Sequence, residues 1–99
     1  MDEVACASLE EVRAGIDAVD RELVALLARR AAYVGQVVRF KRTAAEVPAP
    51  ARAAAVIANA RRLAVEHGAD PDLAEHVYRA IIAWFSAAQV RAIERGRGG

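Results

Sequence analysis

One apolar stripe near the start of the chain constrains what the rest can fold into. It reads Leu9, Val12, Ile16, Val19, Leu23 and Leu26, then Tyr33, Val37 and Phe40. The steps are mostly three and four residues, the spacing that gathers side chains on one face of an α-helix. No proline interrupts the run, and Gly15 and Gly35 are the weak helix formers within it. Ser8 and Glu11 have the spacing of a capping box, and Glu10 adds negative charge to the first turn. Arg39, Lys41 and Arg42 put positive charge at the other end, as the helix dipole favours. The pattern predicts one helix over 8–42, about 35 residues and roughly 50 Å long at ~1.5 Å per residue. A compact globule of this chain length has a radius of gyration near ~13 Å, so such a helix overhangs it at both ends. Its apolar face then needs a second chain to cover it. The expectation is an obligate oligomer, most simply a homodimer.

Arg30 breaks the stripe. It stands at the next inward position after Leu23 and Leu26, where a helical bundle wants Leu. An Arg aimed into a core costs several kcal/mol unless something anionic meets it. Lys41 lies eleven residues further on and returns to nearly the same face at ~100° per residue. Two readings stay open. Arg30 can pair with a carboxylate of another helix while Lys41 snorkels to water. Alternatively, the two cations face an anionic ligand.

The remaining sequence is also helical. Strand signals are missing: aromatics are few, Thr is scarce and no Val or Ile run alternates. Residues 43–50 (TAAEVPAP) carry two prolines that force an extended passage, and Pro50 suits the first position of a second helix over 50–67. Val56, Ile57, Ala60, Leu63 and Ala64 supply its apolar face, and Gly68 suits a left-handed stop. Asp70 and Pro71 cap and begin a third helix with the stripe Leu73, Val77, Tyr78, Ile81, Ile82, Phe85, Ala88 and Ala92. Residues 1–7 are expected to fray and 95–99 to be disordered. The fold class is all-α: one single domain over 1–99, with an ordered core of about 8–94 and one very long N-terminal helix.

Several functions are excluded by what the 99 residues lack. A net charge of +1 gives no general attraction to nucleic acid or to a membrane surface. Charge interrupts every apolar run, so no signal peptide or membrane span is expected. The lone Cys6 cannot form an internal disulfide and fits a reducing, cytoplasmic setting. His67 and His76 have no partners at metal-ligand spacing, and no phosphate-loop, dinucleotide or nucleophile-elbow motif is present. No metal or other cofactor is expected.

A second inward polar residue lies on the third helix. Gln89 follows Phe85 by four and Ile81 by eight, so it shares their apolar face, either as a satisfied core amide or as a donor to a ligand oxygen. Arg13 stands at the edge of the first stripe, and Arg52 one turn into the second helix. Tyr33, Tyr78 and Trp84 read most simply as core or rim aromatics. The polar set thus holds cations and a neutral donor, with no general base and no nucleophile. It can grip a small polyanion and stabilise charge developing on an oxygen, which suits a pericyclic reaction in which the substrate supplies the electrons.

The spacing of Arg13, Arg30, Lys41, Arg52 and Gln89 over three helices resembles the all-helical chorismate mutase (type II) fold. Within that fold the string RFKRTAAEVPAPAR is similar to that of the isochorismate-pyruvate lyases, and the likeness extends over IDAVDRELVALLARR and the closing IIAW…Q. The resemblance implies an intertwined homodimer with two sites, each built from both chains. It implies that Arg13 of one chain and Arg30 of the other bind the carboxylates of a small dicarboxylate substrate. Lys41 and Gln89 would act at the breaking ether oxygen, Lys41 also approaching a carboxylate, with Arg52 assisting where the loop closes. The activity implied is conversion of isochorismate to salicylate and pyruvate, in salicylate and siderophore biosynthesis, without a cofactor. The mutase alternative turns chorismate into prephenate. Mutases of this fold commonly carry acidic residues near the start of the second helix that engage the ring hydroxyl. The matching positions here are Ala49 and Ala53, a departure that favours the lyase. A non-catalytic helical interaction module remains the alternative from a different class.

Overall fold

The computed structural model describes residues 5–40, 43 and 49–98. It is all-α, with helices α1 (Leu9–Val37), α2 (Pro50–Glu66) and α3 (Pro71–Gly98), and a 3-10 turn at Val38–Phe40 closing α1. Ser8 caps α1 as the sequence indicates: its side chain accepts from the Glu11 N–H at 3.1 Å. The Glu11 carboxylate reaches back one residue further than a standard capping box, accepting from the Ala7 N–H at 2.8 Å. The helix is shorter than 8–42. It tightens at Val37 and Val38, where two β-branched residues follow Gly35 and lower helix propensity together. At the other end of the chain, α3 continues through the tail expected to be disordered, reaching Gly98.

Helices α2 and α3 form an antiparallel pair. The chain reverses through Gly68, whose φ of 76° is left-handed backbone that a side chain would strain. The Asp70 carboxylate then accepts from the Asp72 N–H at 2.8 Å and opens α3. Ala60 and Ala64 of α2 and Ile93 of α3 are the buried apolar residues among those described. The alanines let the two backbones approach closely. Arg61 of α2 fastens the turn, donating to Asp72 at 2.9 Å and Glu75 at 3.0 Å, while Arg79 also holds Glu75, at 2.7 Å.

Helix α1 meets the pair along part of its length. Its half-buried residues are Leu27, Arg30, Ala31, Val34 and Val37, of which Arg30 and Val34 contact α3. The earlier turns of the same stripe are left uncovered: Leu9, Val12, Ile16, Val19, Leu23 and Leu26 are all exposed, and Tyr33 is 72% exposed. The molecule is accordingly elongated, 57 × 26 × 16 Å, with a radius of gyration of 17.2 Å, against ~13 Å for a compact domain of this length. Covering each of these half-exposed aliphatic side chains stabilises by on the order of 1 kcal/mol.

The Arg79 and Arg61 guanidiniums hold the Glu75 carboxyl below the usual glutamate range, the Arg79 hydrogen bond contributing most. A depressed carboxyl stabilises the fold above its unfolded pKa and loses that contribution as pH falls through the folded value. The melting temperature should therefore drop as pH is lowered through the ordinary glutamate range and below it. Glu75→Gln should melt lower than the parent at pH 7 and show a shallower acid slope. Parallel slopes in a thermal scan across pH would assign the acid sensitivity elsewhere.

Candidate functional site

The charge on Arg30 is met by aromatic rings. Its guanidinium carbon lies 5.6 Å from the centre of the Tyr78 ring and 5.7 Å from that of Phe85, both on α3. Trp84 braces Phe85 edge-on, with ring centres 5.0 Å apart and planes at 81°. Among the described residues no carboxylate pairs with Arg30 or with Arg52; the ion pairs there belong to Arg61, Arg62 and Arg79. The reading in which Arg30 is neutralised by an acidic residue of another helix is therefore set aside within the described chain.

Arg30 and Arg52 open onto one cavity of about 220 Å³, walled by Val56, Ala60, Leu63, Tyr78 and Asn59. The helical period explains the wall. Arg52, Val56, Asn59, Ala60 and Leu63 recur at three- and four-residue steps, so they line one face of α2. Two cations share one open recess of mixed polar and apolar lining, so an anion entering it meets both charges together. A larger groove of about 580 Å³ lies between α2 and α3, lined by Ala53, Ala54, Ile57, Ile82, Ala83 and Ser86 among others. Its two arginines, Arg61 and Arg79, are already committed to Asp72 and Glu75. The smaller cavity is the one with cationic charge to offer.

Gln89 is half-buried on the inward face of α3, as its spacing indicates, and its amide nitrogen donates to the Val34 carbonyl of α1 at 3.2 Å. Val34 is one turn beyond Arg30 and Gln89 one turn beyond Phe85, so this bond ties the two helices beside the guanidinium. Arg13 is exposed, on the same helix as Arg30 but seventeen residues earlier, which is about 25 Å along the axis. One chain does not bring the two together. Lys41 lies outside the described residues, as do Pro48 and most of the 43–50 segment. Ala53 faces the α2–α3 groove rather than the Arg30 cavity, so its lack of an acid does not alter that cavity's wall.

Tyr78 and Asn59 line the Arg30 cavity and the Phe85 ring stands beside its guanidinium, roles that spacing alone does not separate from packing. The signal was present for the rings: Phe85 is four residues before Gln89 and seven after Tyr78, all on the face of α3 that an inward Arg would meet. Among the described residues no group of His, Cys, Asp and Glu is placed to hold a metal ion. No described helix is long and apolar enough to cross a membrane.

The family model for chorismate mutase type II matches residues 12–90, spanning all three helices. The chain belongs to the chorismate mutase type II family. It is also 38% identical over 93 residues to the isochorismate pyruvate lyase of Pseudomonas aeruginosa, covering 94% of this chain and 92% of that protein. The all-α architecture is consistent with this family's fold, although α1 and α3, at 29 and 28 residues, are nearly equal in length rather than one helix dominating.

The bond from Gln89 to Val34 gives a test of its own. In Gln89→Glu an ionised carboxylate faces a carbonyl oxygen and cannot donate to it. The variant should lose about 1–3 kcal/mol at pH 7, the scale of a buried acceptor left unpaired. Burial against an acceptor raises the pKa of the new carboxyl, so the deficit should shrink as pH falls and the protonated group donates again. Urea unfolding at pH 7 and pH 5 measures both. An equal deficit at the two values would mean that Gln89 contributes packing alone.

Proposed function

We propose that this protein is an isochorismate pyruvate lyase, acting as a cytoplasmic homodimer with two sites shared between the chains. The observation that carries the reading is the pair of arginines without carboxylate partners, Arg30 and Arg52, converging on one recess. The relatedness to the Pseudomonas aeruginosa lyase over most of both chains supports it. The exposed stripe of α1 supports the dimer.

The chemistry needs little from the protein beyond grip and charge. In isochorismate a ring hydrogen passes to the methylene carbon of the enolpyruvyl group as the ether carbon–oxygen bond breaks. The ring becomes aromatic, the enolpyruvyl oxygen becomes the ketone of pyruvate, and the atoms balance without water or cofactor. Arg30 of one chain and Arg13 of its partner bind the two carboxylates and hold the substrate folded, with its ends in contact. Lys41 and the Gln89 amide stabilise negative charge on the ether oxygen as the bond lengthens. Arg52 strengthens carboxylate binding where the 43–50 segment returns to α2. The Gln89 amide has a second N–H beyond the one given to Val34, so tying the helices and donating to substrate are compatible. Chorismate carries the same two carboxylates and ether oxygen, and the family match favours its rearrangement to prephenate as a second activity.

Incubation with isochorismate should release salicylate and pyruvate in equal amounts, measured by salicylate fluorescence and by lactate dehydrogenase coupling. Prephenate from chorismate, with no salicylate from isochorismate, would make the protein a mutase. Turnover of neither would leave the interaction-module reading in its place.

The shared site has a separate test. Arg13→Ala and Arg30→Ala homodimers should each be nearly inactive, because every site lacks one carboxylate clamp. Co-refolding equal amounts makes about half the dimers mixed, and in each of these one site carries both lesions and the other none. Roughly a quarter of all sites should regain parental activity. No recovery, with mixed dimers verified by native mass spectrometry, would place each site within a single chain.

A further inference from the structure

We propose that Tyr78, with Phe85, is a positioning residue: the two rings hold the Arg30 guanidinium ready for a substrate carboxylate while leaving its hydrogen-bond donors unspent. The inference deepens the proposed function, resting on Arg30 as a carboxylate clamp, and it assigns work to residues of α3 that need not touch the carboxylate themselves.

The argument begins from what an inward arginine requires. A guanidinium withdrawn from water needs compensation, and a carboxylate is the usual source. A carboxylate would occupy two of the five N–H donors in bidentate geometry and cancel the charge, so a substrate anion would have to displace it. Arg30 is compensated differently. With ring centres at 5.6 Å and 5.7 Å, both aromatics lie inside the ~6 Å reach of a cation–π contact. Such a contact attracts the charge through the ring face and consumes no N–H donor. It also restricts a flexible side chain, so less entropy is lost when an anion docks. Tyr78 further lines the cavity that Arg30 and Arg52 share, so the ring that holds the cation is also part of the wall. Phe85 is kept in place edge-on by Trp84. No charged group competes for this role among the described residues, since no carboxylate reaches Arg30.

The ring face is the active element, so the hydroxyl of Tyr78 is dispensable. Tyr78→Phe should keep kcat and KM for isochorismate within about twofold of the parent. Tyr78→Leu, which retains apolar volume and loses the π face, should raise KM about tenfold with a smaller change in kcat, the scale of one partly desolvated cation–π contact. A purely structural Tyr78 would harm the enzyme whatever stands at position 30. The decisive comparison therefore repeats Tyr78→Leu in an Arg30→Gln background, where no cation is left to position. There the second substitution should add less than about a twofold further loss of kcat/KM. An undiminished tenfold loss in that background would overturn the proposal, and so would Tyr78→Phe behaving like Tyr78→Leu. A second arm reads the contact without substrate. The Arg30 side-chain NMR signals should be shifted upfield by the two rings and should move back downfield in Tyr78→Leu. An unshifted Arg30 in the parent would overturn the cradle. A shifted Arg30 in a protein that turns over no isochorismate would instead count against the lyase reading alone, and the loss of dicarboxylate binding in Tyr78→Leu, titrated with chorismate, would then judge the positioning role.

Discussion

An arginine turned inward between helices has to be compensated, and the manner of compensation at Arg30 shapes the molecule around it. The residue sits where α1 lies against α3, with two rings of α3 over its guanidinium and no carboxylate in reach among the described residues. A carboxylate at that point would make the contact more self-sufficient and the cavity less receptive. Aromatic faces give weaker compensation, of about 0.5–2 kcal/mol each. They leave the cation short of an anion, which is the condition a binding site needs. The hydrogen bond from Gln89 to Val34, one turn along both helices, fixes their register and so the height at which the guanidinium meets the rings.

The same helix that carries the cation is poorly covered by its own chain. Arg30 and Val34 meet α3, while the earlier turns with Ile16, Val19, Leu23 and Leu26 are left to solvent in a single chain. Helix α1 thus has one apolar face whose later turns are half-buried and whose earlier turns are left open. In the proposed dimer the open turns find their cover in a partner, and the partner brings Arg13 to the end of a site it could not reach within one chain. Stability and activity would then share one cause: the interface that buries the stripe also completes the anion clamp. The α2–α3 pair contributes a firm frame, stapled at its turn by Arg61, Asp72, Glu75 and Arg79.

Much of this was legible in the sequence because helical structure is local. Caps at Ser8 and Asp70, the left-handed Gly68 and the first-turn prolines Pro50 and Pro71 each act within a few residues, so the helix boundaries they govern agree with the structure. The end of α1 and the tail of α3 differ from the sequence expectation because weak helix formers do not fix a boundary: α1 stops soon after Gly35, whereas α3 runs on through Gly96 to Gly98. The period of apolar residues announced a long amphipathic helix, and the odd inward Arg30 and Gln89 stood out as departures from it. Family membership could be read from the spaced polar set together with the strings around it, and the family match bears the membership out.

What required tertiary structure was the pairing of faces. A 3.6-residue period says which side chains share a face of α1, but cannot say whether that face meets the chain's own α3 or remains for something else. One stripe meets both fates: its first turns, Leu9 to Leu26, are exposed, while its later turns, with Arg30, Val34 and Val37, are half-buried. Nor could spacing alone decide what compensates Arg30, since a carboxylate and an aromatic face from a helix some fifty residues away leave the same trace at position 30. Tyr78 and Phe85 were visible as aromatics at helical spacing, a pattern shared by any packed core. Their distance from a guanidinium on another helix depends on how two helices cross, and that is decided by packing between elements rather than by any local run of residues.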